Sequence, residues 1–368
     1  RAMEMGGIEV DPQEVVANLQ YQPITGADGK QYVIGTYHLD PNPNQSGETL
    51  EGPIPLVIGK QRENDEWGWS YFNFKSLSII SNTDWGIYIE PGHDLNQYAN
   101  ITRSFSTLAV PIFWHVMFPN SLTQLNAGLS DGYFNFASRQ GVNIITTPPV
   151  WQNGAFLPQQ FKQNPNRDEF VNLLNRTFSY LSRYSDRISV LPVVNEPYLN
   201  DFLQTNVGSD YIRESFEIAR NYFPQTYLLL NNFGILIGEQ NFQNTVNIVT
   251  NLRQEELVSA IGIQLHLNNQ QNFSEELLRE SIRRWQETGV EVYLTEISIT
   301  GNDPLETARI YKIITEVAVE ENCRGITFWG AGPASWRGAE STLFNESLSP
   351  NLSYYSALQG ATLPYIIG

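Results

Sequence analysis

Two carboxylates occupy the same kind of place in two distant segments. In "LPVVNEPYLN" the apolar run Val190–Val194 stops at Asn195, Glu196 and Pro197, and in "EVYLTEISIT" the run Val292–Thr295 delivers Glu296. An acid directly after a segment that reads as a buried β-strand sits at the strand's C-terminal end. Two such acids facing each other suit the cleavage of a glycosidic bond. One is protonated and gives its proton to the leaving oxygen, while the other, ionised, attacks the anomeric carbon. A retaining reaction needs the two carboxyl groups roughly 5 to 5.5 Å apart. Asn195, beside Glu196, is an amide donor for a sugar 2-hydroxyl, a contact that strengthens in an oxocarbenium-like transition state. His266, closing "IGIQLH", is a candidate to hydrogen-bond Glu296 and keep it ionised. Each element has a plainer reading. Asn-Glu-Pro also ends a strand at a turn, His266 also serves as a satisfied interior histidine, and Trp329 in "TFWG" also packs a core. The agreement of residue type with strand position favours a site.

The elements that must position these residues follow from periodicity. From Trp85 onward about eight short apolar runs alternate with longer amphipathic stretches: "WGIYIE", "TLAVPIFW", "VNIITTPPVW", "ISVLPVVNEP", "TYLLLNNFG", "AIGIQLHL", "EVYLTEISI" and "GITFWGAG". Between them, "RDEFVNLLNRTFSYLSRYS" repeats Phe170, Leu173, Leu174, Phe178 and Leu181 at helical spacing. "SEELLRESIRRWQETG" opens on Ser274 and closes on Gly289, and "LETARIYKIITEVAVEENC" is a third helical stretch. Near-continuous apolar strands separated by helices predict parallel strands buried on both faces. Eight such units predict an α/β fold, a (β/α)8 TIM barrel, in which Glu196 ends the fourth strand and Glu296 the seventh. A doubly wound open sheet would call for a glycine fingerprint at its first strand–helix turn, which this sequence lacks. The expected organisation is a remnant of cloning over residues 1–7, a β-rich N-terminal extension over 8–68, and the barrel over 69–368. Within the extension, "QPITGADGKQYVIGTYHL" reads as two strands around Ala27-Asp28-Gly29, and "DPNPNQSGETLEGP" as a loop.

Composition narrows the partners. The chain has 368 residues, 41% hydrophobic and 17% charged, which suits a folded protein with a sizeable core. A formal net charge of -17 argues against nucleic acid and anionic membrane surfaces, which attract basic patches. Aromatic content is 12%, and rings at loop positions would stack on pyranose faces. The single cysteine, Cys323, forms no intrachain disulfide and reads as a small core residue. No stretch is long and apolar enough to span a membrane. No cluster has metal-ligand spacing, so neither a metal nor an organic cofactor is expected. The expected partner is a polysaccharide or oligosaccharide, taken by a monomer, and secretion is expected because polymeric glycans lie outside cells.

From about Phe134 to Leu358 the chain resembles glycoside hydrolase family 10, best known for endo-β-1,4-xylanases. The matching stretches are "VVNEP", "LLLNNFG", "IGIQLHL", "YLTEISI", and "GITFWGAGPASWRG" followed by "LFNESLSPNLSYYSAL". The resemblance implies that Glu196 is the acid/base and Glu296 the nucleophile of a two-step retaining, endo-acting reaction. It also implies support from Asn195, His266 and Gln264, and aromatic subsite walls from Trp329 and Trp336. Other strand ends depart from the family pattern. Where the second strand usually carries an Asn and a Lys, "FWHVMFPN" offers Trp114, His115 and Phe118. Where the third carries two histidines around a Trp, "TPPVWQNG" offers Thr147, Trp151 and Gln152. Asn232, after Asn231, stands in place of an Asp, and the loop "GAGPASW" is shortened and lacks an acid. Retained acids with altered subsites imply hydrolysis of a less polar or differently branched glycan, or fewer subsites. The alternatives are a β-glucanase or β-mannanase of the same barrel clan, a non-catalytic carbohydrate-binding barrel, and a phosphosugar barrel with an anion site in "GAGPASWRG".

Overall fold

A computed structural model of the protein describes residues 3–5, 8–10, 24–36, 56–61 and 67–367. Its eight barrel strands are β1 (Asp84–Tyr88), β2 (Thr107–Val110), β3 (Asn143–Thr146), β4 (Ile188–Asn195), β5 (Tyr227–Asn232), β6 (Ala260–Asn268), β7 (Glu291–Thr300) and β8 (Gly325–Trp329). The order β4-β5-β6-β7-β8-β1-β2-β3, with β3 returning to β4, closes the sheet into a (β/α)8 barrel. Most strand residues are buried, including every residue of β2 and all but the first of β3 and β5. This is the burial expected of parallel strands covered on both faces.

The chain forms two compact units: residues 107–265 with 276–296, and residues 1–106 with 266–275 and 297–368. In the first, helix Arg167–Ser182 begins where the Asn166 side chain accepts the Glu169 N–H, with Asp168 and Glu169 in its positive first turn. It buries Phe170, Leu173, Leu174, Phe178 and Leu181, the stripe read from the sequence. In the second unit, Phe74 stacks on Phe105 with ring centroids 5.1 Å apart and meets Trp85 at 5.1 Å. There the C-terminal helix Leu352–Ile367 lies against helix Pro304–Glu320. A Cβ at Gly360 would stand 2.1 Å from the Lys312 carbonyl oxygen, so only glycine permits this approach. Cys323 is buried, as expected of a core residue.

The fold departs from the sequence reading in particulars. The run "VNIITTPPVW" divides into β3 and a two-residue strand, Val150–Trp151, because Pro148 and Pro149 interrupt the ladder. The antiparallel pairing around Ala27-Asp28-Gly29 is present, matching Ile24 with Tyr32. It belongs to a four-stranded antiparallel sheet whose last strand, Trp67–Phe72, runs past residue 68. Met3–Met5 pairs with Ile8–Val10, across the expected boundary at residue 7. The loop "DPNPNQSGETLEGP" lies outside the described residues. Among the described residues no helix is long and apolar enough to cross a membrane.

Candidate active site

Strand register creates the centre of the site. β4 matches Asn195 with Asn231 of β5, and its register to β5 shifts between Pro192 and Val194, a bulge just before the acid. Bulges recur beside active sites because they re-aim the residues that follow. Glu196 then takes φ +48°, a left-handed conformation uncommon for a non-glycine residue. Its N–H donates to the Asn231 carbonyl at 2.9 Å, and its own carbonyl accepts the Leu199 N–H at 3.0 Å, closing a tight turn. Local strain held by surrounding bonds is characteristic of functional positions.

The two acids are joined by amide side chains. Glu196 Oε2 accepts from the Trp151 indole N–H at 2.8 Å, and Oε1 accepts from Gln264 Nε2 at 3.2 Å. Gln264 Nε2 also donates to Asn195 Oδ1 at 3.1 Å, and Asn231 Nδ2 donates to the same oxygen at 3.0 Å. Asn231 Nδ2 reaches Glu296 Oε2 at 2.9 Å, while its Oδ1 accepts the Thr295 hydroxyl. The path from Glu196 to Glu296 therefore runs through Gln264, Asn195 and Asn231. Glu296 is 8% exposed, and Glu196 is half-buried. Asn231 fits because β6 presents Gly262: a Cβ there would lie 2.4 Å from Asn231 Oδ1 and 2.7 Å from Thr295 Cγ2.

The other sequence candidates divide. Trp151 joins the site through Glu196, and its ring packs 4.2 Å from Phe156, which meets His115 edge-on at 5.0 Å. Burial lowers the His115 imidazole below its ordinary value, with the Lys162 ammonium acting in the same direction. His115 Nδ1 is buried without a hydrogen-bond partner. Trp114 corrects the sequence reading: 1% exposed, with its indole N–H on Thr177 Oγ1 at 2.9 Å, it is a core residue and not a sugar contact. Phe118, also 1% exposed, is core as well. Gln152 is a brace. Its Nε2 donates to the Pro197 and Asn200 carbonyls at 3.1 and 2.6 Å, and its Oε1 accepts the Leu203 N–H at 3.0 Å, fixing the loop after Glu196. Asn232, fully buried, donates to Thr245 Oγ1 at 3.1 Å and accepts the Phe233 N–H, which makes it structural. The Thr147 hydroxyl oxygen likewise accepts a hydrogen bond from the Ile112 N–H at 2.7 Å.

The second compact unit carries its own cluster. Trp329 stacks on Tyr88 with centroids 3.9 Å apart, a consequence of their pairing between β8 and β1. Trp336 is 59% exposed and meets the His266 ring edge-on at 5.4 Å. His266 Nδ1 lies 2.6 Å from Ser298 Oγ, a partner the sequence reading did not assign. Thr295, Gly262, Phe156 and Ser298 were all missed. Only Gly262 left a signal, as a glycine inside a strand pattern.

A barrel with Glu196 directly after β4 and Glu296 inside β7, which runs on to Thr300 instead of ending at the acid as expected, has the equipment of a glycoside-cleaving enzyme. The sequence profile of glycosyl hydrolase family 10 matches residues 112–359, and the chain belongs to that family. The match begins before Phe134, where the recognised motifs start, and so takes in the altered second strand end. Endo-1,4-beta-xylanase B of Thermotoga neapolitana is 22% identical over 292 residues, which cover 72% of this chain and 83% of the relative. The exoglucanase XynX of Acetivibrio thermocellus is 24% identical over 368 residues, covering 89% of this chain but 32% of that longer protein. The chain likewise spans 26% of endo-1,4-beta-xylanase A of Thermoanaerobacterium saccharolyticum. Native xylanase 10B from Thermotoga maritima has the same fold, with a TM-score of 0.71 at 20% identity over 79% of this chain and 98% of that one. Xylanase 10B from Thermotoga petrophila RKU-1, solved with xylobiose, gives 0.72 at 20% identity over 80% and 98%.

Proposed function

We propose that the protein is a retaining, endo-acting β-glycosidase of the xylanase type. The observation that carries this reading is the unbroken bond path between Glu196 and Glu296 through three neutral amides. Glu296 is the nucleophile: largely buried and held by Asn231, it keeps a fixed line of attack on the anomeric carbon. Glu196 is the acid/base: half-exposed, it meets the leaving group and then the water that hydrolyses the glycosyl-enzyme. Asn195 contacts the 2-hydroxyl, and Trp151 and His115 border the substrate, while Trp336 and Trp329 supply ring faces. No cofactor enters this reading. The substrate is a β-linked polysaccharide or oligosaccharide, met outside the cell by a monomer, and residues 69–368 carry the chemistry.

Turnover of an aryl β-glycoside by Glu296→Ala is the direct test. The expected loss is on the order of 10⁴-fold or more, as for a nucleophile acting within a cooperating set. Unchanged turnover removes Glu296 from this role. Proton NMR of the first-formed product anomer reports retention or inversion. A second reading, hydrolysis of a β-glucan, is favoured by the relative named an exoglucanase. Product profiles on xylan, glucan and mannan separate the two.

A further inference from the structure

We infer that Arg337 and Ser298 are positioning residues that set the tautomer of His266. All four terminal N–H groups of the Arg337 guanidinium have acceptors. Nη1 donates to the Ser298 carbonyl at 3.1 Å and to Ser298 Oγ at 2.8 Å. Nη2 donates to the Leu267 carbonyl and to Thr300 Oγ1, both at 2.8 Å. One fork thus ties the loop after β8 to the ends of β6 and β7, a geometry that a lysine cannot reproduce. The same loop carries the exposed Trp336, whose ring lies 5.6 Å from the guanidinium carbon.

The tautomer follows from donor accounting. Arginine is donor only, so Ser298 Oγ accepts from Nη1 and its single hydrogen must find an acceptor. Ser298 is 1% exposed, and His266 Nδ1 stands 2.6 Å from its oxygen. If Nδ1 carried a hydrogen, the hydroxyl would accept two N–H bonds and its own hydrogen would be buried without a partner, which native structures avoid. The bonded arrangement is therefore Arg337 to Ser298 to His266 Nδ1. It leaves Nε2–H as the donor that His266 offers, the form suited to a sugar hydroxyl or a carboxylate. Neither Ser298 nor Arg337 touches the reacting atoms; each acts through His266. The catalytic consequence rests on the glycosidase reading, whereas the tautomer does not.

The test is nitrogen NMR of the full chain labelled at histidine, with the His266 signals assigned by their loss in His266→Gln. In the unaltered protein at mildly alkaline pH, Nδ1 is expected to resonate as an unprotonated ring nitrogen and Nε2 as a protonated one. In Ser298→Ala the two nitrogens move toward averaged values, with kcat on an aryl β-glycoside falling several-fold and KM changing little. Arg337→Lys is expected to shift the tautomer in the same direction and also to raise KM through Trp336. A protonated Nδ1 in the unaltered protein overturns the proposal. So does a folded Ser298→Ala, by its melting temperature, that keeps the original tautomer. If the tautomer is as stated but no glycoside is turned over, the glycosidase reading fails and this one stands.

Discussion

Two neighbouring regions of one compact unit are built from opposite chemistry. Around Glu196 and Glu296 the contacts are directional: Gln264, Asn195, Asn231 and Thr295 form hydrogen bonds to one another and to the acids. Around His115 they are ring contacts, with Phe156 packed between Trp151 and His115, and Phe113 5.0 Å from Phe156. The difference teaches what each region is for. Neutral amides fix where a carboxylate points without neutralising it, so the acid keeps the freedom to exchange a proton or attack a carbon. An arginine or lysine in their place would hold the charge more tightly and suppress both. Ring contacts impose little direction and suit the binding of a ligand surface. The polar region should therefore govern rate, and the aromatic surfaces affinity.

The sharpest break of that contrast is Asn231→Ala, which removes bonds to Asn195, Glu296 and Thr295 at once. We expect kcat to fall by about 10²- to 10³-fold, the scale for one preorganised donor, with KM within a few-fold. A change under tenfold in a variant with native circular dichroism would detach the amide path from catalysis. Gly262→Ala tests the same place by crowding. Its Cβ would meet Asn231 Oδ1 at 2.4 Å, so we expect a loss of about 1–3 kcal/mol in urea unfolding and a smaller drop in kcat. Combining it with Asn231→Ala relieves that contact, and the double variant should lose less stability than the two single losses added. Strict additivity would show that Gly262 and Asn231 do not press on each other.

Trp336→Ala extends the contrast between polar and aromatic contacts to the ring cluster of the second unit. The ring is 59% exposed, so its loss should leave the melting temperature unchanged and raise KM by about 2- to 10-fold, the worth of one stacking contact. A comparable fall in kcat with KM constant would place Trp336 among the rate-setting residues and erase the division between the regions.

The same contrast explains what was legible in the sequence. The barrel was legible because buried parallel strands write themselves as continuous apolar runs, and the acids because a charge after such a run is conspicuous. Helix Arg167–Ser182 was legible through its apolar stripe, whereas its Asn166 cap was not read. What failed was orientation. Trp114 and His115 are adjacent, yet the first turns into the core toward Thr177 and the second meets Phe156. Neighbouring residues on a short helix point apart, and nothing in "FWHVM" says which one faces a ligand. Gln152 and Asn232 have site-like amide side chains, but both are consumed by bonds that local spacing does not announce. The pairing of Asn195 with Asn231 needed the bulge in β4, because a one-residue slip reverses every side chain.

The smallest effect expected concerns pH and the aromatic region. Burial, and secondarily Lys162, hold the His115 imidazole below its ordinary value of 6.5. Between that lowered value and about 6.5 the unfolded chain binds more protons than the folded one, so stability rises with pH. The contribution is present above about pH 6.5 and is lost as the pH falls through the folded value. In His115→Gln this part of the slope disappears, and the decline in urea midpoint from pH 7.5 to pH 5 should be shallower than in the unaltered protein. Lys162→Gln should make it shallower by less, because charge repulsion is the lesser cause. Equal slopes in all three proteins would mean that the ring contacts around Phe156 leave His115 as well hydrated as an exposed histidine, and the aromatic region would then be open to water where the rings now exclude it.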